Sequence, residues 1–165
     1  MKIEKFKELF KETLHSFDFV NKYLTMDLEY TKRDYSSLIK EKILIGDVKK
    51  VLKKEFPEYR ISNQHGGIYM KKMVDDLLFV FFFKFNNNIF QPYYEIYFNG
   101  EKNENLVNYS NLTSGRAICR YLLNDENYPI KAKIFSNSLE LLHLIKNEAV
   151  FFEKFTENFI YYTHQ

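Results

Sequence analysis

Residues 75–88 read DDLLFVFFFKFNNN, and this stretch decides the fold. The apolar run at 77–83 is seven residues long, held between Asp76 and Lys84. It is far too short to span a bilayer, which takes ~20 residues, and its aromatic and β-branched content suits an interior strand. Asn86, Asn87 and Asn88 turn the chain, and residues 93–98, closed by Asn99 and Gly100, form the next strand. Strands joined by so short a loop pair antiparallel.

Further back, the string NQHGG at 63–67 separates strands at 59–62 and 68–73, so a first hairpin precedes the central one. Before Pro57, the apolar residues Ile39, Ile43, Val48, Val51, Leu52 and Phe56 keep a helical spacing behind a cap at Ser36 or Ser37, with Gly46 a natural dividing point. At the start of the chain, Ile3, Phe6, Leu9, Phe10, Leu14, Phe17 and Val20 mark an amphipathic helix. Residues 24–31 then alternate Leu24, Met26, Leu28 and Tyr30 with polar neighbours, which reads as a half-buried strand, although a helix reaching Leu24 and Leu28 fits the same residues.

Beyond the central hairpin, Thr113 or Ser114 caps a short helix through Leu123, residues 128–135 read as a strand, and Ser138 opens a last helix carrying Leu139, Leu142, Ile145, Phe152, Phe155 and Phe159. The expected architecture is one α+β domain over residues 1–165. Its antiparallel or mixed β-sheet, formed mainly by the middle of the chain, packs against N- and C-terminal helices.

Composition narrows the function. The chain of 165 residues holds Phe 17 and Tyr 13 but no Trp, so its core is built from phenyl and phenol rings. Cys119 is the sole cysteine and has no intramolecular disulfide partner. The N-terminal MKIEKFKELFKE lacks the apolar run of a secretory signal, which points to a cytoplasmic protein. A net charge of +2 supplies no long-range field for nucleic acid.

No catalytic set, metal site or cofactor is expected. His15, His65, His143 and His164 form no HxxxH or HxH pair. NQHGG has the glycines of a hairpin turn, and no GxSxG elbow accompanies it. Cys119 within SGRAICR sits one turn from Arg116 and beside Arg120, yet it reads as a small apolar residue of a short helix. Lysines 49, 50, 53 and 54 read as the solvated face of their helix.

Two features remain as candidates for recognition. If Tyr94, Ile96 and Phe98 face inward, then Tyr93, Glu95 and Tyr97 face outward, an aromatic surface with a carboxylate at its middle. By the same alternation Ile130, Ala132 and Ile134 face inward and leave Lys131 and Lys133 outside. Asp75, Asp76, Glu101 and Glu104 gather at one end of the hairpin, with Asp125 and Glu126 near the same rim, and residues 75–126 carry four basic and seven acidic groups. The reading is a non-enzymatic protein-binding domain, in particular an immunity or inhibitor protein that neutralises a bacterial toxin by direct binding through Tyr93, Glu95, Tyr97, Asp75, Asp76, Glu101 and Glu104. One alternative is a single-stranded nucleic-acid binder that stacks bases on Tyr69, Tyr93 and Tyr97 and holds phosphates with Lys71, Lys131 and Lys133. The other is a small enzyme using His65 with Asp75 or Asp76 as an acid-base set.

Overall fold

The computed structural model describes residues 3–31, 41–75, 77–86, 88–98, 114–125, 127 and 133–165. The order is α1 (Ile3–Ser16), α2 (Phe19–Thr31), α3 (Ile45–Glu55), β1 (Arg60–Gln64), β2 (Gly67–Val74), β3 (Leu77–Asn86), β4 (Ile89–Phe98), α4 (Gly115–Leu123), β5 (Lys133–Ile134) and α5 (Ser138–Thr163). The strands form one antiparallel sheet in sequential order β1-β2-β3-β4-β5. The fold is therefore α+β, with the sheet drawn from the middle of the chain and helices from both ends.

The hairpins are tighter than the sequence suggested, because polar residues accept the left-handed conformation that two-residue turns require. His65 and Gly66 have φ of 50° and 74°, and Asp75 and Asn88 have φ of 51° and 66°. Asn88 is thus the second turn residue, and β4 begins at Ile89, directly opposite Asn86. Pro92 lies inside this strand, opposite Phe83 of β3.

Residues 24–31 correct the strand expectation, because they lie in the helix α2. Phe19 and Tyr23, one helical turn apart, are fully buried, and half-buried Met26 continues their stripe. The same residues satisfy a period of two and a period near 3.6, and packing against α5 selected the helix. Asp18, at φ 53°, breaks the expected first helix into α1 and α2. The second helical segment begins only at Ile45 and runs straight through Gly46, while the caps expected at Ser36 and Ser37 lie outside the described residues.

Phenyl rings hold the layers together. Along the antiparallel α1/α5 contact, Phe6 meets Phe159 at 5.2 Å, Phe10 meets Phe155 at 5.7 Å and Phe17 meets Phe151 at 5.3 Å between centroids. From the sheet, Phe79 and Phe81 approach Phe152, and Tyr94 stacks on Phe152 at 5.0 Å. Every described helix contributes to the single apolar cluster on this face. Among the described residues, the opposite face carries no helix.

Candidate functional site

Strand alternation places the odd-numbered residues of β4 on the helix-free face, as the sequence implied. Tyr94 and Ile96 are buried, while Tyr93, Glu95 and Tyr97 are half-buried on the other side. Register then aligns Tyr69, Phe82 and Tyr93 across β2, β3 and β4, with Lys71, Val80 and Glu95 in the next row and Met73, Leu78 and Tyr97 in the one after. Arg60 and Ser62 of β1 extend the first two rows.

The first of these rows is a ladder of rings. Tyr69 stacks on Phe82 at 4.2 Å and 22°, and Phe82 on Tyr93 at 5.6 Å and 25°. These separations match the ~4.8 Å spacing of neighbouring strands, so the rings stand on edge with their faces turned toward one another. Gly67 makes room for the ladder, since a β-carbon there would overlap the Phe82 ring. Lys71 lies 5.2 Å from the centroid of Tyr69, and Lys84 lies 5.5 Å from that of Phe82.

Glu95 sets the electrostatics of the face. It accepts a hydrogen bond from the Tyr97 hydroxyl. Partial burial first, and this carboxylate second, raise the Tyr97 phenol above the usual tyrosine range, and the same two causes raise Tyr69. The result is a surface of ring edges around one hydrogen-bonded carboxylate, with ammonium groups on two sides.

The acidic rim is described only at Asp75, which is exposed and lies 3.1 Å from Nε2 of His164. Asp76, Glu101 and Glu104 lie outside the described residues, as does Glu126. Asp125 is exposed and accepts from the Asn127 backbone, a local turn contact. His65 and Asp75 occupy opposite ends of β2, so they do not meet as an acid-base pair. Cys119 is buried in the core cluster.

Lys133 overturns its predicted position. It pairs with the inward-facing Phe90, and its side chain and that of Glu148 are each 1% exposed. The ammonium group contacts the Glu148 carboxylate and donates to the Tyr23 hydroxyl at 3.3 Å, while Tyr94 donates to the other Glu148 oxygen. Burial holds the Lys133 amine well below the usual lysine range. Gly115 completes this site: the start of α4 presses so closely on the Tyr23 ring that no β-carbon fits. Hydrophobic alternation cannot foresee a buried lysine whose partner is fifteen residues away. The available signal was Glu148 itself, a charge within the apolar stripe of Leu141, Leu144, Ile145, Phe152 and Phe155.

Among the described residues, no group of three or more His, Cys, Asp and Glu side chains can hold a metal ion, and no helix is long and apolar enough to cross a membrane. No protein-family model, curated protein or solved structure matches the chain.

Proposed function

We propose that the chain is a non-enzymatic protein-binding domain of the immunity or inhibitor kind, which neutralises a bacterial toxin by direct binding at the helix-free sheet face. The observation that carries this reading is the half-buried ladder Tyr69–Phe82–Tyr93 beside Glu95. Aromatic side chains at the centre with charges of both signs around them make the composition of a protein interface. The partner it fits offers an apolar patch to the ring edges and an arginine or lysine to Glu95.

Size adds a constraint. Strands β1 to β4 present an area of roughly 500 Å² at ordinary strand rise and spacing, less than the ~800 Å² that each partner buries in a standard complex. The contact therefore extends onto the rim, where Arg60 and Asp75 stand. A base-stacking platform has less support, because the faces within the ladder are already covered by neighbouring rings and Lys133 is buried in the core.

Affinity capture from the native cell, with the parent and the Tyr69→Ala/Tyr93→Ala variant side by side, tests the proposal. The expected result is a predominant protein partner retained by the parent and lost by the variant, and co-expression with that partner should relieve its toxicity. Retention by both forms moves the interface off this face. Saturable binding of a single-stranded oligonucleotide that the double variant loses favours the nucleic-acid alternative instead.

A further inference from the structure

The helical side holds a recess that the sheet face does not account for. It lies where α2 and the end of α1 meet α5 and is an open depression of about 380 Å³. Phe17, Met26, Val150 and Phe151 supply its apolar wall. Lys22, Lys146, Lys154 and Asn147 line it as well, and among the described residues no carboxylate does.

The spacing on α5 explains how the recess is built. Lys146, Val150 and Lys154 recur every four residues and so fall on one stripe, with an apolar residue between two ammonium groups. Val150 is 42% exposed, an apolar side chain left facing the opening. Lys22 crosses from α2 with its Nζ 4.2 Å from the centre of the Phe17 ring, which brings its charge beside the apolar wall. Lys146 is offset by Glu55 at 2.8 Å, so of the three ammonium groups those of Lys22 and Lys154 dominate the local field.

We propose that this recess binds a small anionic amphiphile: a carboxylate carried on a medium-length alkyl or aryl body. The body packs against Phe17, Met26, Val150 and Phe151, and the carboxylate sits between Lys22 and Lys154. The volume lies within the ~300–1,000 Å³ of small-molecule sites, and the union of apolar wall and lysine side chains selects an anion over a neutral or cationic molecule of the same length. The site is on the helical side and is independent of the sheet-face reading.

Calorimetric titration with monomeric decanoate, decanol and decyltrimethylammonium provides the test. Decanoate should bind saturably, and the cationic probe should bind at least about tenfold more weakly. Lys22→Gln/Lys154→Gln should weaken decanoate about tenfold or more and narrow the difference between the two charged probes. Val150→Glu should abolish decanoate binding, with circular dichroism confirming that each variant remains folded; these exposed substitutions leave the core intact. No saturable binding of decanoate by the parent, equal affinity for anion and cation, or full affinity in the lysine double variant would overturn the proposal. Association with anionic vesicles without binding of monomeric decanoate would overturn it too.

Discussion

Strand β4 carries two tyrosine–glutamate hydrogen bonds, one on each face of the sheet, and their surroundings give them opposite roles. On the outer face Tyr97 donates to Glu95 within the same strand, and both remain half-exposed. On the inner face Tyr94 donates to Glu148 of α5, and the carboxylate is sealed from water with Lys133 against it. The outer group keeps hydrogen-bonding capacity within reach of a partner. The inner group joins α2, β4, β5 and α5, so its contribution is to the geometry of the core. Identical chemistry thus becomes a recognition element or a structural clamp according to burial.

The largest expected effect lies on the inner side. Glu148→Gln leaves a buried amine without its countercharge and should cost about 3–5 kcal/mol, read from urea unfolding. The double variant Lys133→Met/Glu148→Leu removes both charges and should recover most of that loss. Single and double variants of equal stability would mean that the pair is not a clamp.

Adjacent phenylalanines test the same contrast without charge. Phe81 is buried among Phe83, Tyr94 and Phe152, so Phe81→Ala should cost about 3–5 kcal/mol. Phe82 points the other way and is half-buried in the ladder, so its alanine variant should lose clearly less stability. Equal losses would show that the outer face is as tightly enclosed as the core.

For the partner complex the order reverses. Tyr93→Ala should weaken binding by on the order of 2 kcal/mol, mainly through faster dissociation, while leaving the unfolding midpoint near that of the parent. Glu95→Lys should also weaken binding, and its effect on association should shrink with added salt. A complex indifferent to both changes would place recognition elsewhere.

The smallest effect is spectroscopic. Because the folded-state pKa values of Tyr97 and Tyr69 are raised, both phenols keep their protons above the ordinary tyrosine value of about 10. The associated stability is complete below that value and is lost as pH climbs through the folded pKa. Glu95→Gln removes the second cause while burial stays, so phenolate absorbance should appear at lower pH than in the parent. An unchanged titration would separate Glu95 from these tyrosines.

What local sequence determined was the set of hairpins and the facing of β4. Alternation over residues 93–97 is a short-range property, and Asp75, Asn88 and His65–Gly66 carry their own preference for the left-handed turn conformation. The aromatic composition likewise foretold a core built largely from aromatic rings. Only the tertiary structure decided three other matters. It made residues 24–31 helical, because Phe19 and Tyr23 find Phe151 of α5. It drew Lys133 inward, because Tyr23 lies 110 residues away in sequence and Glu148 stands on another element. It aligned Tyr69, Phe82 and Tyr93 into a ladder, because register between strands places side chains that no single strand relates. Periodicity reports what a residue does relative to its immediate neighbours; burial of a charge and stacking of rings depend on partners brought together by the whole chain.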